Sequence, residues 1–114
     1  MPPCVVVVIH EDPLKTHRAV EALRIALGLS TGDNPLTIVL LDRAPLLLTE
    51  DLGDVLDVEV LEKYLPSLKQ LKIPFVVPIG TRSQFELDPG FEVREASTND
   101  IESLIASTDR VLVF

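Results

Sequence analysis

Cys4-Val5-Val6-Val7-Val8-Ile9 is continuously apolar and mostly β-branched, and His10-Glu11-Asp12-Pro13 stops it at once. A run without alternation suits a strand covered on both faces, as in a parallel sheet. Asp12-Pro13 is a turn signal, and Pro13 cannot continue a ladder. A parallel neighbour needs a crossover, and a helix is predicted next, from Lys15 to Leu27. Val20, Leu23 and Leu27 share one face there, with Ala19, Ala22 and Ala26 beside them, while Arg18, Glu21 and Arg24 fall elsewhere. Gly28 is the expected stop, and Ser30-Thr31-Gly32-Asp33-Asn34-Pro35 has loop composition.

The same alternation continues along the chain. Leu36 to Leu41 reads as a second buried strand ending at Asp42-Arg43. Residues 44–58 mix Leu46-Leu47-Leu48 with Glu50, Asp51, Asp54 and Asp57, which predicts a short helical turn and then an acidic loop. Leu61, Tyr64, Leu65, Leu68 and Leu71 repeat at helical spacing, with Pro66 expected to kink or split that helix. Phe75 to Val77 is a short third strand, and Gly80-Thr81-Arg82-Ser83 a turn or helix start. Phe91, Val93 and Glu95 belong to a fourth strand. Asn99, three residues before Glu102, suggests a capping box for a helix whose apolar face is Ile101, Leu104 and Ile105. Asp109 closes it, and Arg110 to Phe114 is the last strand. The pattern β-α-β-α-β-(α)-β-α-β predicts an α/β fold: a three-layer α/β/α sandwich around a mostly parallel five-stranded sheet, in one domain over residues 1–114.

Composition narrows the function classes. The chain has 114 residues, 46% of them apolar and 25% charged, and a mean hydropathy of +0.31. Those values fit one folded domain and exclude a disordered tail. Ten Lys and Arg against 18 Asp and Glu give a net charge of −8. Without a basic stripe, a nucleic-acid partner is not expected. The apolar runs are too short to span a bilayer. MPPCVVVV lacks a charged leader segment, and a single cysteine permits no internal disulfide. Both features lead to the expectation of a cytoplasmic protein.

In open α/β sheets the working groups gather beyond the carboxyl ends of the strands. That rule makes His10, Glu11, Asp42, Arg43, Pro78, Gly80 and Arg82 the candidate pocket, with His10, Asp42 and Arg82 as its polar groups. His10 is also a possible general base by its reference pKa of about 6.5. His10, Glu11, Asp12 and His17 have metal-ligand chemistry but match no standard metal spacing, so no metal is expected. Gly80-Thr81-Arg82 suits an anion at a helix start, but neither GxGxxG nor GxxxxGK[ST] occurs, and no nucleotide cofactor is expected. Cys4 stands at the amino end of the first strand, away from those strand ends, and reads as a small apolar residue. Pro45, Leu46, Leu47 and Leu48 follow a strand end. They suit either a subunit interface or ordinary core packing.

Several stretches together resemble the DsrE/DsrF-like family of sulfur-relay proteins, and within it the TusC/DsrF branch. They are the Val-rich first strand, Thr16 to Leu23, Leu41-Asp42-Arg43-Ala44-Pro45-Leu46-Leu47-Leu48, Tyr64 to Leu71, Leu87-Asp88-Pro89 and Thr108 to Phe114. The resemblance implies an α/β fold and assembly as a homotrimer or hexamer, or as a hetero-oligomer with a cysteine-bearing DsrE-like subunit. It also implies a persulfide-carrying cysteine just after the third strand. Here that stretch reads Val76-Val77-Pro78-Ile79-Gly80, with Pro78 at the nearest position. Proline has no nucleophile. The expected role is therefore a non-catalytic structural or regulatory subunit. The alternative is a small-ligand protein or enzyme using the strand-end pocket. A flavodoxin-like or response-regulator fold fits less well, because the paired acidic cluster and strand-end Lys are lacking.

Overall fold

A computed structural model describes residues 4–32, 35–50, 52–53 and 55–114. Met1–Pro3, Asp33 and Asn34 of the predicted loop, and Asp51 and Asp54 of the acidic loop, lie outside the described residues. Five strands form one sheet: β1 (Val5–Ile9), β2 (Leu36–Leu40), β3 (Pro74–Pro78), β4 (Glu92–Ala96) and β5 (Arg110–Val113). Their order is β4-β3-β2-β1-β5, and every pairing is parallel. The chain steps from β1 out to β4, then returns across the sheet to place β5 beside β1. The helices are α1 (Arg18–Leu29), α2 (Val58–Gln70), the four-residue α3 (Thr81–Gln84) and α4 (Thr98–Ser107).

The uninterrupted Val run is explained by burial on both sides. Val5, Val7 and Ile9 join Ile38, Leu40, Phe75 and Val77 beneath α1 and α2. Val6 and Val8 join Val39, Val76 and Ala96 beneath Ile101 of α4. Helices thus cover both faces, giving the three layers. The first layer is the larger. Ala19, Ala22 and Ala26 let α1 approach the sheet closely, while Val20 and Leu23 fill the space between. Fully burying a side chain of that size contributes roughly 1.5–3 kcal/mol.

Local chemistry moves several boundaries. α1 starts at Arg18 rather than Lys15 because Asp12 organises a turn first: its carboxylate accepts from Leu14 N (2.9 Å), and its carbonyl accepts from Lys15 N and Thr16 N. The helix runs through Gly28 to Leu29. α2 is one continuous helix with Pro66 inside it, not split. Glu62, whose carbonyl the proline leaves unbonded, is exposed, and so is Pro66, so water can serve that carbonyl. The cap of α4 is Ser97, whose hydroxyl accepts from Asp100 N at 3.1 Å, rather than Asn99.

Leu47 and Leu48 are fully buried, Pro45 is buried and Leu46 half-buried, in a 3-10 turn over Ala44–Leu48. Of the two readings of Pro45–Leu48, core packing thus holds for Pro45, Leu47 and Leu48, and Leu47 and Leu48 share the cluster that α1 and α2 cover. Only Leu46 keeps part of its surface for a neighbour.

The loop before β4 is pinned to α2. Lys69 Nζ donates to Asp88 Oδ2 at 2.6 Å and lies 5.0 Å from the Phe91 ring centroid. That hydrogen bond, helped by the Gly90 N–H, holds the Asp88 carboxyl below its ordinary value. A depressed carboxyl stabilises the fold above its unfolded pKa, about 3.9, and the contribution is lost as pH falls through the lower folded value. Asp88→Asn is expected to lower the urea midpoint modestly at pH 7. The difference from wild type should shrink as pH falls below the unfolded carboxyl value and vanish once Asp88 is protonated in both states, as denaturation curves across a pH series will show.

Candidate functional site

β3 and β4 end side by side, with Pro78 opposite Ala96 and Ile79 N donating to Ala96 O at 3.1 Å. Beyond β3 the chain turns at Gly80, whose φ of +95° suits glycine. Thr81 Oγ1 donates back to Pro78 O at 2.6 Å, and Thr81 is buried. Ile79 is left at the tip, 70% exposed.

The chain itself occupies the Ile79, Gly80 and Arg82 backbone donors of this turn. Glu95 Oε2 accepts from Gly80 N (2.9 Å) and from Arg82 N (3.2 Å). The Arg82 guanidinium donates to Val93 O at 2.6 Å. A carboxylate from β4 thus fills the spot where Gly80-Thr81-Arg82 had suggested an external anion, and Arg82 serves β4. Glu95 was not among the residues singled out from sequence. Its one signal is parity: it shares a sheet face with Val93, so an acid stands at an inward-facing position and needs donors.

The other strand-end groups are dispersed. His10 is exposed, and its backbone N–H donates to Phe114 O. Glu11 is half-buried. Asp42 is exposed, with φ of 56° in the left-handed region that Asp tolerates. Arg43 Nε lies 3.5 Å from Asp12 Oδ2. His17 Nδ1 lies 2.5 Å from Asp57 Oδ2, tying the start of α1 to the start of α2. Among the described residues no three His, Cys, Asp or Glu side chains gather as metal ligands do.

The cavities also lie away from the expected pocket. One of about 310 Å³ sits over the amino halves of β2–β4, lined by Thr37, Val76, Glu92, Arg94 and Leu104 among others. One of about 540 Å³ is bounded by the loop from Gly53 to Val60, and one of about 200 Å³ lies near Leu71 and Pro74. His10, Asp42 and Arg82 line none of them.

Cys4 is exposed and precedes β1, at the amino edge of the sheet. Its N–H donates to Asp109 Oδ2 at 2.7 Å and its carbonyl accepts from Thr108 Oγ1. The ionic side chain hydrogen-bonded to its backbone is therefore a carboxylate. A reactive thiolate calls for a cation or a helix N-terminus.

No protein-family model and no curated protein matches the sequence. Among solved structures, the chain is similar to the ychN protein from E. coli, with a TM-score of 0.76 and 19% identity over 100% of both chains. At that identity the likeness shows a shared fold: the five-stranded parallel α/β fold that the DsrE/DsrF-like resemblance implies. No helix among the described residues is long and apolar enough to cross a membrane.

Proposed function

We propose that this chain is a DsrE-like scaffold without a sulfur-carrying cysteine of its own. It works in the cytoplasm as a structural or regulatory subunit of a sulfur-relay-type oligomer, either of its own kind or beside a cysteine-bearing subunit. The observation that carries the reading is the turn after β3. It presents Pro78, Ile79 and Gly80, and its two free-standing N–H groups are already bonded by Glu95. A persulfide there would need both a sulfur atom and donors to stabilise its anion; this turn has no sulfur, and Glu95 already holds the Gly80 and Arg82 N–H groups. The whole-chain likeness to ychN supports the scaffold half of the proposal.

Light scattering on the purified full chain tests the subunit reading. A species larger than one chain is expected at micromolar concentration. A strict monomer there contradicts assembly of its own kind.

A further inference from the structure

The two edges of the sheet are unlike. β4 carries Glu92, Arg94 and Glu95, and such charges blunt an edge against pairing. β5 reads Arg110-Val111-Leu112-Val113, with Val111 and Leu112 each 37% and Val113 58% exposed. No Asp or Glu lies between Arg110 and Phe114, in a chain whose net charge is −8. Like-charge repulsion between two copies is therefore weakest along this strand.

Backbone alternation sets how that edge can be filled. Arg110 N donates to Cys4 O, Phe114 N donates to Val8 O, and Phe114 O accepts from His10 N. Residues 110 and 114 thus turn their peptide groups toward β1, and by the two-residue strand period so does Leu112. Val111 and Val113 turn theirs outward, where among the described residues β5 has no neighbour in the sheet. Two N–H and two C=O groups stand in a row, and another strand satisfies all of them.

We infer that β5 pairs with β5 of a second copy, antiparallel, about a two-fold axis at Leu112. This register sets Val111 against Val113 of the second copy, and the reverse, as hydrogen-bonded pairs. It engages every outward group of the strand. Leu112 meets its own counterpart on one face, while the two Val pairs meet on the other. A shift by two residues toward the amino end would set Val113 against Asp109, an acid that lies before the strand's first residue. The contact is self-complementary, as a two-fold interface must be. The inference rests on the oligomeric reading above and names one of its surfaces. A four-residue ladder is small beside the roughly 1,200–2,000 Å² of stable interfaces, so the association is reversible and concentration-dependent.

Val113→Pro is the discriminating variant. It removes an outward N–H and leaves the hydrogen bonds to β1 intact, and proline is tolerated at such edge positions. Sedimentation velocity across a concentration series is expected to show the largest wild-type species halved in mass by Val113→Pro, with circular dichroism unchanged. Val113→Lys, which keeps the N–H at a largely exposed position, should weaken the same association and partly recover it at high salt. If both variants keep the wild-type mass, β5 pairing is overturned and the oligomeric reading survives. If wild type is a strict monomer at micromolar concentration, β5 pairing and assembly of its own kind both fall.

Discussion

Phe75→Ala is expected to cost about 3–5 kcal/mol, a large share of the roughly 5–15 kcal/mol that stabilises a domain. Phe75 is fully buried in β3, flanked by β2 and β4. Its ring meets Phe91 edge-on, with centroids 5.7 Å apart and planes at 80°. Aromatic pairs in that arrangement contribute about 0.5–1.5 kcal/mol beyond burial. Truncation leaves a cavity next to Phe91, and Phe91 is itself under Lys69. The loss should therefore spread to the Lys69–Asp88 clasp. Urea unfolding followed by circular dichroism should show the midpoint falling sharply, or a chain already partly unfolded in buffer. A midpoint within 1 kcal/mol of wild type would mean that Phe75 is not where the sheet is held.

Glu95→Ala is expected to cost about 1–3 kcal/mol, the desolvation penalty of donors left unbonded. Glu95 is half-buried, and its carboxylate accepts from two backbone N–H groups of the turn after β3. Removing it frees both donors and leaves the Arg82 guanidinium on Val93 O as the remaining side-chain tie from Arg82 to β4. Glu95→Gln keeps an acceptor oxygen and should recover part of the loss. Hydrogen exchange at Gly80 and Arg82 will separate this local effect from global destabilisation. Both amides should become faster in Glu95→Ala at a concentration of denaturant where Val77 stays protected.

Much of this fold is legible in the sequence because its signals are local. The Val5–Ile9 run has no alternation, since α1 and α2 cover one face and α4 the other. The Ala-rich stripe of α1 is a sheet-contacting helix face. What local signals cannot carry is the cost of breaking a rule when water is near. Pro66 reads as a kink or a split, and the helix is not split: its orphaned carbonyl belongs to exposed Glu62, so the helix runs on. Leu46–Leu48 look too many for so small a chain to cover, but the 3-10 turn folds most of that surface inward.

The site was less legible, for a physical reason. Strand-end residues can be listed from the element order, but their partners depend on which strands adjoin. Arg82 lies near β4 only because β4 pairs with β3, and that order is not written in any motif. The same adjacency puts Glu95, 15 residues along the chain, onto the Gly80 N–H. Asp12, for which a metal was not expected, accepts from Leu14 N and lies near Arg43. The exposure of β5 is equally a consequence of order: the strand's composition is that of a covered strand, yet it stands at an edge.

Intact-mass spectrometry after incubation with a low-molecular-weight persulfide donor tests most directly whether this scaffold carries sulfur. Cys4 is the sole thiol, so any covalent sulfur must appear there. An unmodified chain is expected after gel filtration, with Cys4 still open to alkylation. A stoichiometric one-sulfur adduct on Cys4 that passes to an acceptor thiol would contradict that expectation.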